Sequence, residues 1–215
     1  MEKDLGNYRK VYAKKQLSEA DAPDNPLQLF QQWFHEIEGS DSTDEPNAMT
    51  VSTNGLDGYP KSRVVLLKGF TYEGFVFFTN YRSEKGRAIE ADPRVCLSFF
   101  WPWLERQVII KGQAEKLAEN LSDGYFESRP EGSKLGAIVS EQSRVIPSRE
   151  YLEKAMEQLE AVYSGKEIPR PDFWGGYLVR PQSMEFWQGR PNRLHDRLRY
   201  TLTESWDWKL ERLAP

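Results

Sequence analysis

Two guanidinium groups and an imidazole occur at a spacing of two residues near the end of the chain, in Arg193, His195 and Arg197. If the backbone is extended there, alternate side chains point to the same face, so all three would meet one ligand. Guanidinium groups bind planar anionic groups through paired hydrogen bonds. The spacing therefore predicts a site for an anionic, planar ligand. An exposed basic edge strand is the alternative interpretation, because charge discourages edge pairing.

Further cationic side chains lie where strands are predicted to end and loops to begin, and they are Arg63, Lys68, Lys85 and Arg129. The chain has no evident Ser-His-Asp arrangement, no Walker-type loop and no G-x-G-x-x-G motif. We therefore expect a bound phosphorylated cofactor to supply the chemistry, while the protein supplies charge and orientation.

Two helical segments place candidate anion ligands. Ser83 is a predicted N-cap, and a phosphate could sit at that helix N-terminus beside Lys85 and Arg87, although a solvated helix face explains the pattern equally well. Tyr125, Arg129 and Ser133 recur every four residues, but Pro130 must break one continuous helix. We therefore expect those three to converge from a helix end and the segment that follows it.

Composition narrows the function classes. The chain has 215 residues, enough for one domain with a sizeable core, and its formal net charge of −4 argues against general nucleic-acid or anionic-membrane binding. The single Cys and two His give no zinc-site spacing, so no metal is expected. The N-terminus lacks the apolar core of a secretory signal and no apolar run could span a bilayer, so cytoplasm is the expected location.

Periodicity predicts the elements. Asn25-Pro26 is a helix start, and the period changes from helical to two after residue 48, with strands at 49–52, 62–68, 74–79, 94–100 and 106–113. Short turns between the first three strands predict an antiparallel meander, and the aromatic content favours a small barrel. The fold class is thus α+β, mainly antiparallel β.

Residues 1–24 form a predicted mobile N-terminal arm, and residues 25–215 form a single predicted domain. Tyr8, Arg9 and Tyr12 could share a helical face, or the arm could be frayed.

A series of longer motifs occurs in order along the chain. They are Ser62-Arg63-Val64-Val65-Leu66-Leu67-Lys68, Glu105-Arg106-Gln107-Val108, Ser128-Arg129-Pro130, Gln142-Ser143, Glu185-Phe186-Trp187-Gln188-Gly189, Arg193-Leu194-His195-Asp196-Arg197 and Glu211-Arg212-Leu213-Ala214-Pro215. In this order they resemble the pyridoxine/pyridoxamine 5′-phosphate oxidase family, from about Asn25 to Pro215.

The resemblance implies an FMN-binding split β-barrel with peripheral helices, assembled as a homodimer with active sites at the interface. It implies an oxidoreductase acting on a CH–OH or CH–NH2 group with O2 as acceptor. Such an enzyme oxidises pyridoxine 5′-phosphate and pyridoxamine 5′-phosphate to pyridoxal 5′-phosphate in vitamin B6 salvage and biosynthesis. Hydride passes to FMN, and dioxygen reoxidises the flavin to give H2O2.

The resemblance also assigns roles to residues. FMN contacts are implied at Arg63, Val64, Val65, Leu66, Leu67, Lys68, Phe78, Thr79, Lys85, Gln107, Gln142, Ser143, Trp187 and Arg197. Substrate contacts are implied at Arg9, Tyr12, Lys68, Tyr125, Arg129, Ser133, Arg193, Leu194 and His195. Among these, Arg193 and His195 are the expected catalytic residues, because they match the pair that holds the substrate ring over the flavin.

One position departs from the family pattern. Many members have Ser-Arg-Lys where this chain has Ser83-Glu84-Lys85. A carboxylate repels a phosphate, so we expect Lys85 and Arg63 to bind the FMN phosphate, with Arg82 or Arg87 as possible helpers. Two alternatives stay open: a split-barrel flavin reductase with another substrate, or a non-catalytic binder of FMN or pyridoxal phosphate.

Overall fold

The computed structural model describes residues 3–8, 10–42 and 45–215. The chain forms two compact units that interleave along the sequence. Unit 1 comprises Met1–Thr50, Leu97–Lys111 and Pro181–Pro215, and unit 2 comprises Val51–Cys96 and Gly112–Arg180. The predicted division into an arm at 1–24 and one domain at 25–215 stays a prediction.

The order of helices and strands along the chain is close to the predicted one. The helices are α1 (Pro26–Glu38), α2 (Glu84–Ala91), α3 (Glu119–Glu127), α4 (Glu131–Val139) and α5 (Arg149–Tyr163). The strands are β1 (Ala48–Asn54), β2 (Pro60–Leu66), β3 (Gly69–Thr71), β4 (Gly74–Asn80), β5 (Arg94–Trp101), β6 (Arg106–Lys116), β7 (Trp174–Gln188), β8 (Asp196–Leu202) and β9 (Trp208–Arg212). Short 3-10 turns occur at Glu19–Asp21 and Pro191–Arg193.

The strands form one nine-stranded sheet in the order β2-β1-β5-β6-β7-β4-β3, with β8 paired to β7 and β9 to β8. The β3–β4, β4–β7, β7–β8 and β8–β9 pairs are antiparallel. The predicted α+β class, mainly antiparallel and of the split β-barrel type, is confirmed. The predicted meander is wrong in its pairing, because the short strand β3 was missed and β4 pairs with β3 and β7.

Aromatic packing holds α1 in unit 1. Asn25 caps the helix by accepting the Leu27 N–H at 2.9 Å, as predicted, and Gly39 ends it. The Phe30 ring is fully buried, with its centroid 5.1 Å from that of Phe99. The Trp33 ring meets Phe186 edge-on at 5.2 Å. Burying such rings is among the larger contributions to a core, so α1 anchors the C-terminal part of β7.

A second aromatic group holds the helices of unit 2. Phe126, Leu135, Ile168 and Trp174 form a buried cluster, and Phe78 and Tyr125 pack against it. Pro130 separates α3 from α4, as its missing N–H and fixed φ require. The predicted break is therefore confirmed, and both helices pack on the same strand residues.

No helix within residues 3–8, 10–42 and 45–215 is long and apolar enough to cross a membrane.

The α1 cap generates a stability prediction. Replacing Asn25 with Ala removes the oxygen that accepts the Leu27 N–H, so we expect the free energy of unfolding to fall by about 1 kcal/mol. A lower denaturant midpoint at unchanged slope would report this loss. Gln32→Ala, at an exposed position of the same helix, should change stability by less than about 0.5 kcal/mol. Equal losses in the two variants would contradict the capping role.

Candidate functional site

A cavity of about 520 Å³ in unit 2 is lined by half of the residues that the resemblance assigned. Of the predicted flavin contacts it is lined by Val64, Val65, Leu66, Lys68, Phe78, Thr79, Lys85 and Gln142. Of the predicted substrate contacts it is lined by Lys68, Tyr125, Arg129 and Ser133. The structure thus brings the two sets to one cavity, which the sequence spacing alone did not require.

Arg129 is the cavity residue whose surroundings most clearly favour an anionic ligand. Its Nη1 atom is buried, and no residue in the described part of the chain accepts a hydrogen bond from it. The guanidinium carbon lies 4.6 Å from the centre of the Trp174 ring, a cation–π contact. Burial lowers the pKa of Arg129 from its ordinary value. A buried guanidinium N–H without an acceptor is costly, so an anionic ligand would stabilise this arrangement.

Local structure explains why Arg129 stands there. Tyr125 lies on α3, and its ring stacks on Phe78 of β4 with 3.9 Å between ring centroids. The helix ends before Pro130, and Ser133 donates its backbone N–H to the Pro130 carbonyl at 2.9 Å in the first turn of α4. The break after α3 therefore presents the phenol, the guanidinium and the hydroxyl to the same cavity, as predicted.

Lys85 is a second buried cation with neutral partners. Its Nζ donates to Gln142 Oε1 at 2.8 Å and to Thr79 Oγ1 at 3.1 Å. Burial, followed by the nearby charge of Arg63, lowers the pKa of Lys85 to about 8, while Glu84 opposes the shift. Two neutral oxygens satisfy hydrogen bonds but supply no countercharge. The ammonium group is therefore suited to binding an anion in the cavity.

The unusual Glu84 is held by another residue. Its carboxylate pairs with Lys61, and Lys61 also pairs with Asp57 at 2.9 Å. Arg63 donates to Thr53 Oγ1 at 2.8 Å and to the Lys61 carbonyl at 2.9 Å. Burial lowers the pKa of Arg63, and the charge of Glu84 partly offsets this. Because the Glu84 carboxylate forms its ion pair with Lys61, the Lys85 ammonium keeps its neutral partners Thr79 and Gln142.

A second cavity, of about 490 Å³, lies in unit 1 and is lined by Tyr8, Lys10, Val11, Tyr12, Arg190, Asn192, Arg193 and His195. The His195 ring lies 4.6 Å from that of Trp187 and 5.9 Å from that of Tyr12, and Tyr12 meets Trp187 edge-on at 5.7 Å. His195 Nδ1 accepts the Arg190 N–H at 3.0 Å. The neutral imidazole therefore carries its proton on Nε2, which can donate to a ligand.

The expectation of an extended Arg193-x-His195-x-Arg197 segment is wrong. Asn192 and Arg193 have φ values of 56° and 61°, inside the 3-10 turn at Pro191–Arg193. Arg197 lies on β8, where it pairs with Glu185 at 2.8 Å and donates to the Ala214 carbonyl. Left-handed backbone at two successive residues turns the chain, so alternate side chains no longer share a face.

Of the remaining predicted residues, those that the structure describes fall outside the two cavities. Leu67 is buried, Leu194 is exposed, and Gln107 and Trp187 lie in β6 and β7 of unit 1. Ser143 follows Gln142 with a φ of 75°. Arg9 is outside the described residues.

Cavity residues that the sequence reasoning missed include Asn80, Trp174, Lys10 and Arg190, of which Asn80 could have been found because it directly follows Phe78-Thr79 on β4.

Comparison with known families gives two matches that together cover most of the chain. Residues 38–163 match the family model described as pyridoxamine 5′-phosphate oxidase. Residues 174–215 match the model described as the pyridoxine 5′-phosphate oxidase C-terminal dimerisation region.

Individual relatives agree with the family models. The chain is 66% identical over 213 residues to the pyridoxine/pyridoxamine 5′-phosphate oxidase of Flavobacterium psychrophilum, covering 99% of this chain and 100% of the relative. It is 54% identical to that of Christiangramia forsetii over the whole of both chains. Among solved structures, PhzG from Burkholderia lata, in complex with tetrahydrophenazine-1-carboxylic acid, has a TM-score of 0.85 and 32% identity over 91% of this chain and 95% of that chain.

Lys85 generates a prediction about pH. A pKa of about 8 means that the ammonium group loses its charge near that pH. Between pH 7.5 and 9.5 the binding of inorganic phosphate, measured by calorimetry, should weaken in the native chain. Lys85→Met should bind about tenfold more weakly at pH 7.5 and show a flatter pH profile. Lys154→Met removes an exposed ammonium group that pairs with Glu150, so it should behave like the native chain. An unchanged pH profile in Lys85→Met would contradict the assignment.

Proposed function

The chain belongs to the pyridoxine/pyridoxamine 5′-phosphate oxidase family, and we propose that it oxidises both phosphorylated vitamers to pyridoxal 5′-phosphate with FMN as cofactor and O2 as electron acceptor. The observation that carries the proposal is the buried, unpartnered Nη1 of Arg129 in a cavity that Lys68, Tyr125 and Ser133 also line. These residues supply two cationic groups and two hydroxyls, which suit a phosphate dianion.

The flavin would occupy the β2 and β4 side of that cavity. Val64, Val65 and Leu66 present backbone and apolar groups there, and Val64 is 69% exposed in the isolated chain. Lys85, with Arg63 behind it, would hold the FMN phosphate, whose negative charge would oppose the lowering of the Lys85 pKa by burial. Arg82 and Arg87 are further candidates for that phosphate. Bound FMN would supply the redox chemistry, because it would take up a hydride and a proton from the substrate and pass both electrons and both protons to dioxygen, giving H2O2. With the amine substrate, water would then complete the aldehyde and release ammonia.

Arg193 and His195 would bind the pyridine ring of the substrate. The Arg193 guanidinium orients the ring so that its 4′ C–H is presented for hydride loss, and such orientation supplies much of the acceleration in reactions of this kind. His195 donates a hydrogen bond from Nε2, because its Nδ1 already accepts from Arg190. We therefore assign His195 a hydrogen-bonding role, with Nε2 as the donor. Among the other implied contacts, Trp187 and Arg197 remain proposed flavin residues.

The chain forms a homodimer, since residues 174–215 match a dimerisation region. We further propose that each active site lies at the dimer interface and takes residues from both chains. A phosphate bound by Arg129 and a ring bound by Arg193 would then belong to one substrate molecule. A cytoplasmic location and a role in vitamin B6 salvage are part of this proposal.

A different flavoprotein substrate is the second candidate, because PhzG is similar in structure over most of the chain and was solved with a tetrahydrophenazine carboxylic acid. A carboxylated ring system would use cationic residues but has no phosphate for Arg129. Comparing phosphorylated with unphosphorylated vitamers separates this candidate from the oxidase.

The first test is an oxygen-coupled assay of the purified protein loaded with FMN. Pyridoxine 5′-phosphate and pyridoxamine 5′-phosphate should each consume O2 and release peroxide. Arg193→Ala should lower kcat/KM by about a hundredfold, because the reacting carbon is no longer held in place. Arg149→Ala, at an exposed position of α5, should leave both rates unchanged. Normal turnover by Arg193→Ala would refute the role of Arg193, and absence of peroxide from the native enzyme would refute the oxidase.

The phosphate site makes a separate prediction. Arg129→Met removes the guanidinium donors but keeps an unbranched apolar side chain beside Trp174. We expect KM for pyridoxine 5′-phosphate to rise at least about tenfold, as for loss of a hydrogen bond to a charged group. The weak oxidation of unphosphorylated pyridoxine should stay the same. Arg149→Met is the matched control. An equal loss of activity on both substrates would mean that Arg129 does not bind the phosphate group.

A further inference from the structure

Glu105 is a buried acidic residue to which none of the roles above assigns a function. Its side chain is only 3% exposed, and its backbone has a φ of 58°. Both features carry a free-energy cost, since carboxylates are rarely buried and non-glycine residues rarely adopt this conformation. Such costs concentrate where the surrounding structure needs a fixed geometry.

The carboxylate binds the N-terminal segment. Its Oε2 accepts the backbone N–H of Ala13 at 2.9 Å and that of Lys14 at 3.1 Å, and the Lys10 ammonium lies 3.9 Å from Oε1. Lys14 strengthens the attachment, because its Nζ donates to the Trp103 carbonyl at 2.6 Å and lies 4.2 Å from the centre of the Trp103 ring. Residues 10–14 are therefore held to the turn that precedes β6.

The backbone of Glu105 binds the residues at the end of β7. Its carbonyl accepts the Gly189 N–H at 2.7 Å and Nε2 of Gln188 at 3.2 Å. Gly189 leads into the turn that carries Arg193 and His195. Glu105 thus joins the N-terminal segment to the start of that turn, because its carboxylate accepts hydrogen bonds from the first and its main-chain carbonyl accepts them from the second.

The position of Tyr12 depends on this junction. Tyr12 directly precedes the two amides that Glu105 binds, and its ring packs against Trp187 and His195. The packing is tight, since a Cβ atom at Gly189 would lie 2.8 Å from Tyr12 Cβ and Cγ. Without the carboxylate, two backbone donors would lose their acceptor and the ring would lose its fixed approach.

We propose that Glu105 is a positioning residue, which holds Tyr12 against His195 and Trp187 so that the wall of the ring-binding cavity is formed before substrate arrives. The role rests on the proposed function, because it is expressed through binding of the substrate ring. A carboxylate suits it better than an amide. Its charged Oε2 accepts both backbone N–H groups more strongly than an amide oxygen would, and its Oε1 lies 3.9 Å from the Lys10 ammonium, which the NH2 of glutamine would repel.

The test compares Glu105→Gln with Glu115→Gln, which makes the same chemical change at an exposed position of β6 paired with Arg180. In the FMN-loaded enzyme, hydrogen exchange of peptides covering residues 10–16 should become about tenfold faster in Glu105→Gln alone, as for loss of a hydrogen bond to a charged group. KM for pyridoxine 5′-phosphate should rise about tenfold, and kcat should change far less.

A coupling measurement separates positioning from general stability. Tyr12→Ala and the double variant complete a cycle with Glu105→Gln, and we expect the double variant to bind substrate no more weakly than Tyr12→Ala. Unchanged exchange at residues 10–16 would overturn the proposal. Additive losses, or faster exchange throughout the chain, would also overturn it by making Glu105 a general fold residue. Failure of the native enzyme to release peroxide would instead refute the oxidase, while the exchange comparison would still decide whether Glu105 holds the segment.

If Glu105→Gln does not fold, Glu105→Asp keeps the charge but shortens the reach to Ala13 and Lys14. The same local exchange and KM changes are then expected, and their absence would overturn the proposal.

Discussion

Desolvation of cationic side chains is the constraint on which the candidate site depends. Removing a guanidinium or ammonium group from water costs several kcal/mol unless countercharge or hydrogen bonds compensate it. The fold leaves this cost partly uncompensated at Arg129, which has a buried donor without an acceptor, and at Lys85, whose pKa falls to about 8. A bound anion would accept a hydrogen bond from Arg129 and supply countercharge to Lys85. The surroundings of these two cations therefore favour an anionic ligand, although the chain as a whole is net acidic.

Aromatic residues make that desolvation possible. Trp174 belongs to the buried cluster of unit 2, stacks with Phe78 at 5.5 Å and also receives the Arg129 guanidinium on its face. One ring thus serves the core and the cation at the same time. Because the ring is fixed by packing, the guanidinium loses little conformational freedom when a ligand binds. Stability and binding capacity here come from the same contacts.

Unit 1 builds its cavity differently, through strained backbone. Glu105, Asn192 and Arg193 all have left-handed φ values, and they lie at or next to the cavity that Tyr12 and His195 line. Such conformations persist only when surrounding hydrogen bonds impose them. The Arg190 N–H that fixes the His195 tautomer and the Gly189 N–H that binds the Glu105 carbonyl are two such bonds. The geometry of Arg193 and His195 is consequently set by the local conformation of this turn more than by a regular helix or strand.

Local chemistry in the sequence determined the caps at Asn25 and Ser83, the break at Pro130 and the alternation of most strands, because each depends on residues within a few positions. The family motifs predicted which residues belong to the site. The sequence did not reveal the left-handed turn at Asn192–Arg193, which removes Arg197 from the face of its neighbours. Nor did it reveal that Lys61 balances Glu84 or that Glu105 binds the amides of Ala13 and Lys14. These features join residues far apart in the chain, or depend on backbone strain held by distant partners, so only the tertiary structure could decide them.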